Sequence, residues 1–378
     1  MTVSGILIIA SCKKKDSEPE SEATPSPAPS ACAPTTVAVN ADITTAQTWD
    51  ACHIYVITSS QISVTSTLTI QPGTVIKFKD NVSDNAILVS NAGQITAEGT
   101  VAKPIIFTSF KDDTYGGDSN GDGSGSGPSR FDWGGIIINN NNCVFRNCGF
   151  YYGGKGPGGV TGQPSLEFSS YYGTVDQCTF ALCGGEPTNT GYGVVDARSS
   201  ESPNMKITNN VFYGCIKPLF LSPHISLDNS NTFHNPANAN VKNQLNGVFF
   251  TSTSNEPTTD VSWLETEVPF VITGSTFFGD GKKLILAPDV IIKVTLSPAA
   301  GFNKIAIKEG KSFIENNSAS GVFFTSYLDD AHGGDTNGDN ELTVPAKGDW
   351  YGIQDISAVI TTSNNCYPWA NILYAKNP

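Results

Sequence analysis

The sequence predicts an all-β solenoid, on three observations. From about residue 52 the chain is a succession of short β-branched and aromatic runs cut by Gly, Pro, Asn and Asp, with no segment of helical periodicity. One local pattern recurs at variable spacing, as it would if loops of changing length were inserted at one corner of each coil. Finally, a long stretch of the chain repeats itself in a steady register. Composition agrees: 37 Gly, 22 Pro, 2 Met and only 15% charged residues in 378 describe a turn-dense β protein and weigh against a helical enzyme. A net charge of −13 repels a phosphate backbone, which excludes nucleic acid as an expected partner.

Taken in order, residues 1–11 hold a short apolar run that ends in small residues before Cys12. The run is far shorter than the roughly 20 residues needed to span a bilayer, so it reads as a targeting segment. Ile9-Ala10-Ser11-Cys12 resembles the lipobox of bacterial lipoproteins, which implies lipidation at Cys12. No Lys or Arg precedes the apolar run, which places the true start upstream or implies trimming. Lys13-Lys14-Lys15-Asp16-Ser17-Glu18 resembles the lysine-then-acid signals of outer-surface lipoproteins in Bacteroidota-type bacteria. Residues 12–40 are rich in Pro, Ser, Ala and Glu without apolar periodicity and read as a disordered tether. The expected address is the bacterial outer membrane or cell surface, with the membrane touched only through the lipid.

In the body, Ile76-Lys77-Phe78 and Ile95-Thr96-Ala97 alternate alike, as do Ile87-Leu88-Val89 and Ile105-Ile106-Phe107. Strands recurring about every 20 residues suggest successive coils. A second ladder runs Cys143-Val144-Phe145, Cys178-Thr179-Phe180, Asn210-Val211-Phe212 and Asn231-Thr232-Phe233, predicting Phe stacked on Phe in the core and Cys or Asn at turns. Cys143, Cys148, Cys178, Cys183 and Cys215 then behave as small buried hydrophobes, and their spacing does not suit zinc. Cys32 and Cys52 could pair as a disulfide outside the cytoplasm.

The duplication is long. Val56-Ile57-Thr58 matches Val271-Ile272-Thr273, Lys77 matches Lys293, Phe107-Thr108-Ser109 matches Phe324-Thr325-Ser326, and Asp132-Trp133-Gly134 matches Asp349-Trp350-Tyr351. This predicts two related modules, residues 41–260 and 261–378, with the second cut short at Pro378. The Gly99-Thr100-x-x-Lys103-Pro104-Ile105-Ile106-Phe107-Thr108-Ser109 step and the Asp132-Trp133-Gly134-Gly135-Ile136 step resemble the right-handed parallel β-helix proteins of bacterial surfaces, in the superfamily that includes the pectate lyases. The resemblance implies a right-handed parallel β-helix of about a dozen coils. It implies no particular reaction.

Chemistry concentrates in two acidic loops. Asp118-x-Asn120-x-Asp122 and Asp335-x-Asn337-x-Asp339 each place three hard oxygen donors on one side of a tight turn, which suits Ca²⁺. The closing Glu of an EF-hand is missing, since the twelfth positions are Ser129 and Ala346. Asp112, Asp113 or Asp132 would close the first site, and Asp329, Asp330 or Asp349 the second. Five carboxylates within 21 residues repel one another unless a cation or solvent intervenes.

If Leu166-Glu167-Phe168 and Val195-Asp196-Ala197 are the same strand on neighbouring coils, Glu167 and Asp196 stand side by side, with Asp176 and Arg198 as further candidates for catalysis. Two solvated acids on an exposed face explain them as well. Tyr151, Tyr152, Tyr171, Tyr172 and Tyr192 keep no constant offset from the Phe ladder and read as edge packing. The four histidines form no triad with Ser or Cys. The sequence therefore points to a calcium-binding, non-catalytic surface protein whose partner is a glycan or a surface protein. A polysaccharide lyase or glycoside hydrolase working on the helix face is the alternative.

Overall fold

The computed structural model describes Met1 and residues 32–79, 85–156, 162–188, 190–279, 281–296, 303–308, 313–315, 321–356 and 366–376; Cys12 and most of the expected tether lie outside them. Among the described residues no α-helix occurs, and the strands wind into parallel sheets apart from one antiparallel pair, His234–Asn235 with Asn238–Lys242. The chain visits three sheets in turn: Val75–Phe78 in sheet A, Ala86–Val89 in sheet B, Gln94–Glu98 in sheet C, then Ile105–Ser109 back in sheet A. Every pairing within these sheets is parallel and in register, for example Val75 opposite Ile106 and Ile87 opposite Ile136. The fold is a right-handed parallel β-helix. The described residues place ten strands in sheet B, the longest, and parallel bridges from Ile43 to Val64 and from Phe324 to Ile372 add a rung at each end, in line with the expected dozen. Its first strand, Thr35–Val39, already pairs with His53–Ile57, so the helix starts inside the stretch expected to be tether.

Two register expectations need correction. The echo between Ile76 and Ile95 joins different sheets, because all three strands of one coil alternate alike and each faces the same core. Neighbouring coils keep the spacing of about 20 residues where no loop intervenes, as Val56 lies opposite Lys77, and are further apart where one does: Ile106 lies opposite Gly149, with the first acidic loop between them. The Phe ladder is also shifted in its first member. Phe145 belongs to sheet C, and the ring aligned with Phe180 is Phe150. The column in sheet A runs Phe107, Phe150, Phe180, Phe212 and Phe233, with centroids 4.8, 4.6, 5.1 and 5.6 Å apart. Such pairs add about 0.5–1.5 kcal/mol each beyond the area they bury.

The duplication is reproduced residue by residue, but on different sheets. Val56, Lys77 and Thr108 lie in one cross-coil row of sheet A, whereas Val271, Lys293 and Thr325 lie in one row of sheet B. The reason is a change of cross-section. Among the described residues sheet A ends at Val211–Tyr213, and a new three-stranded sheet opens at Thr276–Phe278. Sheet B runs through this change unbroken, since Val248–Phe250 pairs with Phe270–Ile272.

The core between the sheets is aliphatic and aromatic, with Trp133, Trp263 and Trp350 fully buried. Cys143, Cys148, Cys178, Cys183 and Cys215 are buried free thiols, as expected. Their neighbours explain the Cys-to-Asn exchange along the ladder: Asn210 accepts from Cys178 N and Asn243 from Cys215 N through the side-chain oxygen. Cys32 and Cys52 are both disulfide-bonded.

Candidate functional sites

Each acidic loop leaves its coil just after a Phe-Thr-Ser strand, and the strand itself uses up two of the expected metal ligands. Thr108 Oγ1 donates to Asp112 Oδ2 at 2.5 Å, and Ser109 Oγ donates to Asp132 Oδ2 at 2.7 Å. The copies do the same: Thr325 to Asp329 at 2.5 Å and Ser326 to Asp349 at 2.6 Å. Asp112, Asp132 and Asp329 are buried. These four carboxylates close the loop bases and stand apart from the clusters that face one another.

Those clusters are Asp113, Asp118 and Asp122 in the first loop and Asp330, Asp335 and Asp339 in the second, each with one oxygen per residue within 4.8 Å of the others. Glycines shape them. Gly121 and Gly338, at φ of 76° and 73°, occupy the left-handed region, which turns their N–H groups onto Asp118 Oδ1 and Asp335 Oδ1, both at 2.7 Å. Bonds from Gly123 N and Gly121 N hold the Asp118 carboxyl below the usual carboxylate range. Asn120 and Asn337 sit within each turn, donating Nδ2 to Asp122 and Asp339 at 3.0 and 2.9 Å. Asp113 Oδ1 and both oxygens of Asp330 are buried without a hydrogen-bond partner in the protein, and burial pushes the Asp330 carboxyl up. Carboxylate and amide oxygens are the hard donors Ca²⁺ takes, so the residues present fit that ion.

Beneath each loop lies a lysine whose role the sequence did not show. Lys77 and Lys293 point outward from their strands yet are fully buried under the folded loop. Lys77 Nζ donates to the carbonyls of Asp112 and Gly117 at 2.8 and 2.6 Å. Lys293 Nζ donates to Gly334 O at 2.6 Å and Thr336 Oγ1 at 2.9 Å. Burial lowers both amines, Lys293 to about 8, while the neighbouring aspartates oppose the shift. Each lysine bolts its loop to the coil by main-chain or hydroxyl oxygens and spends none of these bonds on the Asp trio.

The catalytic candidates divide differently. Glu167 and Asp196 are direct partners on adjacent strands of sheet B, as the sequence predicted. Glu167 is half-buried, accepts from Ser169 Oγ at 2.8 Å, and is pushed up chiefly by burial. Asp196 is 3% exposed and committed elsewhere: Arg198 Nε lies 3.0 Å from both its oxygens and Nη2 lies 2.5 Å from Oδ2. Arg198 is itself held between the rings of Tyr192 and Phe220, at 4.4 and 4.0 Å. The stack continues with Lys217 between Phe220 and Phe249. Asp176 lies in sheet C, bonded to Arg146, Thr208 and Asn209, and does not join Glu167 and Asp196. In front of Glu167 is a cavity of only 110 Å³, lined also by Gln61, Ile137 and Gln163.

The tyrosines and histidines have separate surroundings. Tyr151 stacks on Tyr115, Tyr171 bonds Asn91 and Tyr192 covers Arg198, so the tyrosines make no single row. Each histidine pairs with a local acid: His53 with Asp50, His224 with Glu201, His234 with Glu267 and His332 with Asp329.

A family model described as a pectate-lyase like beta helix domain matches residues 41–149. No curated protein and no solved structure matches the chain. The matched stretch ends within sheet A at Gly149, and the parallel pairing continues without change of pattern through Thr179 and Val211.

Proposed function

We propose that this chain is a lipid-anchored β-helix of the bacterial outer surface that binds calcium in two loops and serves as a non-catalytic binder of a glycan or a surface partner. The observation that carries the calcium reading is the recurrence of one Asp trio in both loops, with buried carboxylate oxygens at Asp113 and Asp330 that no protein group satisfies. Three negative charges within 4.8 Å repel strongly when partly withdrawn from water, and a divalent cation removes that repulsion. Calcium then fixes the outer turns of long loops that the coil otherwise holds through their bases and the buried lysines.

Thermal unfolding tests this. Calcium at about a hundred times its dissociation constant stabilises by about 2.7 kcal/mol per site, and the expected rise in Tm is roughly 5 °C or more. Chelator reverses it, and Asp118→Ala and Asp335→Ala each lose about half of it. A Tm indifferent to calcium and chelator in the unaltered protein would reduce the loops to turns.

The in-register Glu167–Asp196 pair is what favours a polysaccharide-active enzyme instead. Against it, Arg198 occupies both oxygens of Asp196, which leaves Glu167 without a free carboxylate partner. Release of new chain ends from a polysaccharide, abolished by Glu167→Gln, would establish that reading over this one.

A further inference from the structure

We propose that a cleft on the outer face of sheet A, at its corner with sheet C, binds a neutral glycan chain running along the solenoid axis; this rests on the glycan reading above and gives it a place. The cleft has a volume of 310 Å³ and shares no lining residue with either Asp trio or with the Glu167 cavity. Its floor is made by the outward residues Gly149, Thr179 and Val211, which are cross-coil partners on three successive strands.

One wall is a row of three side-chain amides. Asn147, Gln177 and Asn209 occupy the corner in successive coils, each in the left-handed region at φ of 48°, 55° and 56°. Stacked coils place such residues about 4.8 Å apart. Each amide is anchored by one of its two N–H groups: Asn147 Nδ2 donates to Gly99 O at 3.3 Å, Gln177 Nε2 to Asp176 Oδ2 at 3.3 Å, and Asn209 Nδ2 to Asp176 Oδ1 at 2.9 Å. What remains on each amide is its oxygen, which accepts, and a second N–H, which donates.

Tyr151 closes the cleft. A Cβ at Gly149 would fall 2.6 Å from its ring, so glycine is what lets the phenol lie across the floor. The ring is braced from behind by Tyr115, with centroids 5.0 Å apart. A phenol offers an apolar face and a polar tip to a ligand that has both.

The chemistry selects the occupant. Amides at coil spacing, each with an oxygen acceptor and a spare N–H, call for a ligand with closely spaced hydroxyls, which both donate and accept. An extended peptide presents N–H groups on one side only every second residue, about 7 Å apart, and falls out of step with the row. Among the described residues the lining carries no charged side chain, and the carboxylate behind it, Asp176, is engaged by Arg146 and Thr208. With a net charge of −13 on the protein, an acidic polysaccharide finds nothing here to pair with.

The test is affinity electrophoresis of the full chain through gels cast with mannan, with β-glucan or with polygalacturonate, comparing the unaltered protein with Thr179→Trp, which fills the floor, and with Gln177→Ala/Asn209→Ala, which removes two acceptors. The expected result is retardation by at least one of the two neutral polysaccharides, lost in Thr179→Trp and weakened about tenfold or more in the double variant. Should Thr179→Trp fail to fold, judged by Tm, the double variant decides. Retardation unchanged in the folded variants would remove the cleft while leaving a glycan binder. Retardation by polygalacturonate alone, or by none of the three, would overturn the proposal.

Discussion

Replacing Phe180 by alanine is expected to lower the unfolding free energy by about 3–5 kcal/mol, since the loss combines the transfer of a fully buried ring with the cavity it leaves. Phe180 is 0% exposed and is the central member of the five-ring column, stacked at 4.6 Å on Phe150 and 5.1 Å on Phe212. Its coil cannot collapse to fill the gap, because the strands either side are fixed by main-chain bonds to Gly149–Tyr151 and Val211–Tyr213. In a solenoid each coil contacts only its neighbours, so a weakened interface in mid-helix divides the cooperative unit rather than being averaged over it. The urea midpoint of Phe180→Ala should therefore fall well below that of the unaltered protein, with Phe180→Leu in between. A loss under about 1 kcal/mol would mean that the rings are spectators and that the aliphatic rows of sheets B and C hold the coils together.

That column also shows what the sequence could and could not reveal. The strands were legible because each carries its own alternation, and the parallel helix was legible because one short motif recurs. Register was harder. Cys143-x-Phe145 and Cys148-x-Phe150 offer the same Cys-x-Phe signal five residues apart, and only the pairing of Gly149 with Thr179 decides between them. The echo of Ile76 in Ile95 misled for a related reason: within one coil all three strands bury alternate residues into the same core, so that spacing measures a step round the coil, whereas the similar spacing from Val56 to Lys77 is a true step along the axis.

The candidate sites divide along the same line. The acidic trios were visible because their members are close in sequence. Which aspartates would face one another was not, since Asp112 and Asp132 are claimed by Thr108 and Ser109 of the preceding strand. The side-by-side placement of Glu167 and Asp196 followed from matching Leu-Glu-Phe to Val-Asp-Ala, but the Arg198 clamp needs the Tyr192 and Phe220 rings, which come from a loop and from the next coil. The buried lysines left no signal at all. An outward Lys in a strand looks like a solvated one until a loop closes over it, and Lys77, Lys217 and Lys293 are each covered in this way.

Of these, Lys217 gives the second large effect, and it should appear as a dependence on pH. The amine is fully buried, and burial, aided by the Arg198 charge, lowers it from 10.5 to about 7. The rings of Phe220 and Phe249, at 4.9 and 4.8 Å, favour the charged form but do not outweigh desolvation. The neutral amine still has the two hydrogens its site requires, one each for the carbonyls of Thr188 and Gly191, both at 2.5 Å. Its folded pKa lies below its unfolded one, so between about pH 7 and pH 10.5 the unfolded chain binds more protons, and stability rises with pH across that window. From pH 6 to pH 9 this one group should add roughly 2–3 kcal/mol. Lys217→Met keeps the length of the side chain between the two rings and abolishes the titration. Its stability relative to the unaltered protein should therefore be highest at pH 6 and decline toward pH 9 by the same roughly 2–3 kcal/mol, read from urea unfolding at the two pH values. A difference between the two proteins that stays constant with pH would mean that Lys217 keeps its charge in the fold. The carbonyls of Thr188 and Gly191 would then be serving an ammonium ion, and the cation–aromatic stack from Tyr192 to Phe249 would outweigh the cost of desolvation at this site.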